Sequence, residues 1–502
     1  MFTHRLPSFS VIALAAAVAV GANRSARADD ATQPTTSAEI QALRARLDQL
    51  EAQQKLAELQ RRQTEQQLDE KITADALNKE TAARSQFISA EGFTAGYSDD
   101  RFVIQSADGN FVLRPFVHAQ FRGVVNARQG FQGNKNHPED EVDSGFEIRR
   151  LKFGFDGNLF SPDLVYTFIW GTQRNSSSVN VTSTTGTTKG TTIGTASNSL
   201  GGVPILEEAW IKYHISATPF AIRAGQIKDP VLHDQLVRSR GQVAAERTLT
   251  ADIFLNGDAY TEGATFIYDP NSFIRTEAGV NHGIRSADTN FLSYPNNGSL
   301  NQFNYGFAGR VEYKAFGDWN DYIDLGAEGL HQRLLVVGAG ADYSERGHDG
   351  QLVAAVDSTF KDTSGLSLYG AVVDRYTTHN FGYYTQGTGG ASISAGDPAV
   401  AGRPTNEYAL VGQVAYLIDQ KFEPFGRWEY IKLQGTPAGS RNYINALAGG
   451  LNYYVHSREL KLTGEVLYLP QGLPFNDTAS DELINSNGKG ELVYEVQLEL
   501  VL

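Results

Sequence analysis

The sequence predicts an all-β fold: a transmembrane antiparallel β-barrel of sixteen strands, preceded by an N-terminal helical coiled-coil segment. Three observations carry that reading. The last twelve residues alternate, with Leu492, Tyr494, Val496, Leu498, Leu500 and Leu502 on one parity and Glu491, Glu495, Gln497 and Glu499 on the other, broken only by Val493 and Val501. Successive side chains of a strand point to opposite faces, so this segment has one apolar and one acidic face. Nothing follows it to cover a sheet edge, and a barrel removes that edge by pairing its last strand with its first, as lipid requires. The second observation is composition: 50 Gly, 22 Tyr and 27 Phe, no Cys, a hydrophobic fraction of 41%, and no run of eighteen apolar residues that would make a membrane helix. The third is the alternation of tight turns with long connections, the asymmetry of outer-membrane barrels.

In chain order, residues 1–28 read as a signal peptide. Arg5 supplies the positive start, Val11 to Val20 the apolar run, and Ala26-Arg27-Ala28 the small-x-small pattern before cleavage. Residues 29–36 form a polar linker. From 37 to 84 there is no Gly, Pro or aromatic residue, which is helix-forming composition. Ile40, Leu43, Leu47 and Leu50 keep the spacing of a coiled-coil seam, which weakens at Gln54, Ala57 and Arg61 and revives at Leu68 and Ile72. A periplasmic coiled coil that promotes trimers is one reading of this stretch, and a solvated spacer helix is the other.

The barrel is expected over 90–502. Arg101 to Ser106 and the strand beginning at Phe111 flank Ala107-Asp108-Gly109-Asn110, a turn of the kind Asp-Gly favours. In the second of these strands Leu113, Val117, Ala119, Phe121 and Val125 share one face, while Arg114, His118, Gln120 and Arg122 share the other. That many cationic groups on one strand face suit a water-filled lumen. Tight turns follow at Ser161-Pro162-Asp163, Ala217-Thr218-Pro219, Asp269-Pro270-Asn271, Asp362-Thr363-Ser364, Asp419-Gln420-Lys421 and Ser457-Arg458-Glu459, with a less regular one between Phe316 and Arg333. Seven turns make sixteen strands. The Ser/Thr/Gly/Asn tract from Gln173 to Gly202 reads either as an extracellular loop or as a disordered insertion without function.

No nucleophile motif, HExxH or phosphate-cradling GxxxxGK occurs, so neither an enzyme nor a metal or cofactor site is expected, and no nucleic-acid partner. The chemistry lies in basic residues on the wet parity. Arg150 and Lys152 point inward between Leu151, Phe153 and Phe155, whereas Arg149 falls on the outward parity and must either snorkel or sit at a bulge that turns it inward. Arg223, Arg310 and Lys314 also alternate with apolar neighbours. Each alone is consistent with a solvated interior; together they form a track for anions. The third long connection, 227–258, holds Lys228, Arg238, Arg240 and Arg247 among many Val, Leu and Ile residues, so it is expected to fold into the lumen and narrow it, a surface lid being the alternative.

The chain resembles the phosphate-selective porin O and P family in Ser106-Ala107-Asp108-Gly109, Arg149-Arg150-Leu151-Lys152-Phe153-Gly154-Phe155-Asp156-Gly157, Ala209-Trp210, Gly225-Gln226-Ile227-Lys228-Asp229-Pro230, Glu246-Arg247 and Gly450-Leu451-Asn452-Tyr453-Tyr454 followed by Leu460-Lys461-Leu462. The resemblance implies a trimeric sixteen-stranded porin of an outer membrane, with an inward third loop and an arginine-lysine path for phosphate or other anions. Arg149 and Arg150 fall on the family's paired-arginine position. It further implies outer-membrane lipid, the barrel-assembly machinery and further copies of the chain as partners. Two departures stand out. The last residue is Leu502 where such barrels commonly end in Phe, and residues 1–86 are charge-neutral, so the whole formal net charge of −14 belongs to the barrel part. A general, weakly selective porin and a barrel serving as anchor or adhesin are the alternatives to an anion channel.

Overall fold

The structure, a computed structural model, describes residues 88–90, 92–98, 101–128, 142–172, 204–255, 260–284, 305–346, 349–378, 383–387, 390–394, 403–434, 441–473, 483 and 489–502. The expected signal peptide, linker and helix of residues 1–84 and the tract 173–202 lie outside the described residues. The strands are β1 (Ile88–Ala90), β2 (Phe93–Ser98), β3 (Arg101–Ser106), β4 (Val112–Arg128), β5 (Val142–Asn158), β6 (Leu164–Thr172), β7 (Pro204–His214), β8 (Phe220–Lys228), β9 (Tyr260–Tyr268), β10 (Ile274–Asn281), β11 (Tyr305–Phe316), β12 (Leu334–Arg346), β13 (Asp349–Lys361), β14 (Leu366–Thr377), β15 (Tyr383–Gly387), β16 (Gly390–Ser394), β17 (Thr405–Tyr416), β18 (Phe422–Lys432), β19 (Tyr443–His456), β20 (Leu460–Leu469) and β21 (Glu491–Val501).

Sixteen of them, β4 to β14 and β17 to β21, form a closed antiparallel barrel in which each pairs with its neighbour in sequence. The closure is β21 on β4, in register from Glu491 opposite Arg128 to Val501 opposite His118. Leu502 extends it, its N–H donating to the Val117 carbonyl at 2.8 Å. Strands β1 to β3 are an antiparallel extension joined to β4 through Ile104 opposite Leu113. Strands β15 and β16 pair only with each other.

The seven turns expected from Pro, Asp and Ser positions are the seven that join the strands at one end. Their chemistry is local: Ile418 pairs with Phe422 around a three-residue turn in which Asp419 and Gln420 are both left-handed (φ 51° and 56°), a conformation Asp tolerates better than most residues. At 269–271 the Asp269 carboxylate accepts the Asn271 N–H at 3.1 Å, pre-forming the bend.

Alternation then sorts the side chains in a pattern opposite to that of a water-soluble protein. Phe146, Phe307, Val356 and Val496 are 82, 54, 54 and 59% exposed on the outside, while Arg122, Lys361 and Glu499 inside are at most 1% exposed. Lipid is the solvent that accepts such an exterior. The interior is filled by the third loop, whose chain from Asp229 carries helix α1 (His233–Leu236), a 3-10 turn (Ser239–Gly241) and helix α2 (Leu249–Leu255).

Candidate functional site

The third loop has two chemically different sides. On one, Val231, Leu232, Val243, Leu249, Phe254 and Leu255 pack into one apolar cluster with inward residues of β13, β14 and β17 to β21, among them Val353, Val373, Val411, Ile431, Ile444 and Val493. Val493, an apparent fault in the closing strand's alternation, is therefore a lumen residue that faces loop rather than water. Gly340 of β12 leaves the loop room to enter, since a Cβ there would collide with the backbone of Pro230 and Val231.

Several polar groups of the buried loop are answered by the wall, as burial demands. The Glu429 carboxylate accepts the Leu249 and Thr250 N–H groups at the start of α2 (3.1 and 2.9 Å), and Arg375 donates to the Ile253 carbonyl near its end at 2.9 Å. An anion at the N-terminus and a cation at the C-terminus complement the helix dipole. Asn452, Lys461 and Arg427 donate to the carbonyls of Val243, Gln242 and Glu246 (2.8, 3.0 and 2.8 Å).

The other side faces the basic wall. Register shifts between Gln120 and Phe121, which lie opposite Arg150 and Ile148, so Arg149 is the extra residue of a β-bulge. The bulge resolves the parity conflict of Arg149 by turning it inward. Its Nε then lies 2.5 Å from Glu246 Oε1. Arg150 donates to both Glu246 oxygens at 3.1 and 2.6 Å, and Arg122 pairs with the same carboxylate. Burial pushes the Glu246 pKa up, but the charges of Arg149, Arg150 and Arg122 outweigh it and hold the group well below the ordinary carboxylate range. This cluster fastens the loop to β4 and β5.

Most of the other sequence-predicted cations are also engaged. Lys152 Nζ lies 2.7 Å from Glu207, the extra residue of a bulge on β7. Arg223 pairs with Glu277, with its guanidinium 5.6 Å from the Trp210 ring. Arg114 lies 3.4 Å from Asp156. Lys228 donates to the Gln235 and Val237 carbonyls at 2.9 and 3.3 Å, and Arg247, 2% exposed, donates to the Val237 carbonyl at 2.7 Å and so points into the loop.

Arg238 and Arg240 differ. They flank Ser239 on the 3-10 turn, and neither has an ion pair to a carboxylate among the described residues. Arg238 lies 5.9 Å over the Phe116 ring. Burial, with Arg238 and Arg101 nearby, lowers the Arg240 pKa to about 10, so it is still charged at neutral pH. Both line a cavity of about 400 Å³, open solvent included, whose walls also hold Lys152, Lys228, Glu207 and Glu208. This chamber lies between the loop and the inner faces of β4 to β9.

Glu246, Glu207 and Glu208 were not among the predicted site residues. The sequence signal for Glu246 was its place beside Arg247 in the loop; partner identity depends on which wall the loop meets. The acids of the closing strand, which as bare charges would oppose an anion path, are engaged by the two neighbouring strands, β4 and β20. Glu499 lies 3.2 Å from His118 and 3.3 Å from Lys461, Glu495 is 3.2 Å from Arg122, and Glu491 accepts from Asn126 at 2.6 Å.

Comparison with solved structures finds an anion-selective porin from Comamonas acidovorans at 9% identity, covering 78% of this chain and 99% of that one with a TM-score of 0.49. OmpF of Salmonella typhi, in complex with daunomycin, aligns at 16% identity over 79% of this chain and 98% of its own, with a TM-score of 0.48. The outer membrane channel DcaP of Acinetobacter baumannii aligns at 10% identity over 79% and 99%, with a TM-score of 0.45. No curated protein sequence matches. The family model of phosphate-selective porins O and P matches residues 124–468, well over half of the chain and including the third loop and the arginine pair Arg149-Arg150. The chain therefore belongs to the phosphate-selective porin O and P family and is an outer-membrane porin.

Proposed function

We propose that this porin passes small anions, phosphate among them, by passive diffusion through the chamber beside the third loop. The observation that carries the reading is Arg238 and Arg240, two loop cations that line the chamber with no carboxylate at salt-bridge distance among the described residues, Arg238 acting on Glu208 only at longer range. A cation held among other cations in a narrow, partly dehydrated passage gains most from a mobile anion. Lys152 and Lys228 add charge to the same walls, whereas Arg122, Arg149 and Arg150 act through Glu246 by setting the loop's position. The proposal includes a homotrimer, with residues 37–84 as a periplasmic helix that favours assembly.

Glu207 and Glu208 in the chamber favour a second reading, a general porin with weak selectivity. The reversal potential of the reconstituted protein in a KCl gradient separates the two. Anion preference that falls in an Arg238→Gln, Arg240→Gln variant supports the proposal; a wild type that prefers cations overturns it. A protein that inserts into the bilayer without conducting would sink both and leave the anchor reading.

A further inference from the structure

Six of the turns at the periplasmic end are short, but the fourth, between β11 and β12, spans 317–333 and turns inward. Trp319, Tyr322, Leu325 and Ala327 are at most 5% exposed, and the carboxyl-bearing Asp324 and Glu328 are 5 and 8% exposed. Buried acids require cations, and neighbouring elements supply them. Lys361 of β13, 1% exposed, pairs with Asp324 and donates to the Asp321 carbonyl at 2.7 Å. Arg458, from the turn between β19 and β20, pairs with Asp324 and lies 2.9 Å from Glu328, while Ser457 donates to Glu328 at 2.6 Å.

The inner surface of this turn carries the tip of the third loop. The His233 ring stacks on Tyr322, with centroids 3.8 Å apart and planes within 4°. The Leu325 N–H donates to the Gly241 carbonyl at 2.9 Å, one residue from Arg240. Contact there is close: a Cβ on Gly241 would lie 3.0 Å from Asp324 Cβ and 2.9 Å from Val237 Cγ1.

We infer that the fourth turn is the inner half of the constriction. It supports the loop tip from the periplasmic side, positions Arg240 at the chamber and closes the part of the lumen beside β11 to β13 and β18 to β20. Solutes are thereby confined to the chamber. The inference rests on the porin being a channel and not on the sign of its selectivity.

The test is single-channel recording of the full chain in planar bilayers, with two variants. Replacing 319–330 by a two-residue Asn-Gly turn should raise conductance about twofold or more and move the reversal potential toward zero, because a second route opens past the loop. The double variant Asp324→Asn, Glu328→Gln, which keeps the backbone length, should raise conductance in the same direction. If the shortened variant inserts and conducts as the wild type does, the inference is overturned; if it fails to insert, the double variant decides by the same criterion. A cation-preferring wild type would overturn the anion proposal and leave this test intact.

Discussion

Arg150 and Arg240 carry the same charge but differ in what faces it, and that decides which of them a solute can use. Arg150 is satisfied by Glu246 at 2.6 Å, whereas Arg240 has no carboxylate ion pair among the described residues. Near 4 Å a unit charge is worth about 1 kcal/mol even at bulk-water screening, or roughly a fivefold change in a permeability ratio. Arg238→Gln with Arg240→Gln should therefore lower the anion-to-cation permeability ratio by about fivefold per charge. Arg150→Gln with Lys152→Gln should shift it less and change conductance more, because Arg150 holds the loop. Reversal potentials and single-channel currents from the same patches compare the two directly. Glu246→Ala leaves a cluster of buried guanidinium groups without their shared partner, a loss of about 3–5 kcal/mol for a broken buried pair. Increased proteolysis within 238–247 of the inserted protein is its expected signature.

The third loop as an element is held by contacts whose pH dependence can be stated. The folded-state pKa of Glu246 is depressed, so its contribution is fully present above the value of a free glutamate, about 4.3, and is lost only as pH falls through the lower folded value. Single-channel conductance should stay constant from about pH 7 to pH 5, where a free glutamate remains largely ionised and the bound one wholly so. A step change in that interval that disappears in a Glu246→Gln variant would show that Glu246 itself titrates there and is not held by the three guanidinium groups. The helix expected at 37–84 makes a separate prediction. Deleting it removes no barrel strand, so the shortened protein should still insert and conduct, and its oligomer should dissociate at a lower temperature in mild detergent. Unchanged oligomer stability would rule out an assembly role.

At the scale of the whole molecule, the formal charge of −14 and a proposed anion path coexist because charge acts locally. The acids of the closing strand are engaged by His118, Arg122 and Asn126 of β4 and Lys461 of β20, and rim charges are screened over ~8–10 Å at physiological salt. If selectivity arises where the solute touches Arg238 and Arg240, it should persist when KCl is raised from about 0.1 to about 1 M, where screening shortens to about 3 Å. Selectivity that vanishes over that range would place its origin in distant surface charge. Reversal potentials at a fixed concentration ratio and increasing mean salt measure this.

Strand number, turn positions and the inward parity of Arg114, Arg122, Arg150 and Lys152 were legible in the sequence, because side-chain alternation and turn chemistry are local and repeat along the chain. Even Arg149 announced its bulge by standing on the wrong parity. The pairing of these cations was not legible. Glu246 is 96 residues from Arg150, and Glu207 is 55 from Lys152, separations that only the barrel's closure and the loop's path bring to hydrogen-bond distance. The apolar half of the lumen left a trace in strands such as Val353–Val356 and Ala409–Val411, where both parities are apolar, but water and a buried loop are indistinguishable partners until the loop is placed. The sequence by itself determined a closed barrel with basic residues turned inward, since period and turns suffice for that. Which of those residues stay unpaired beside the chamber was decided only by the tertiary structure, because electrostatic pairing depends on distance in space, and the third loop and fourth turn set those distances from opposite ends of the barrel.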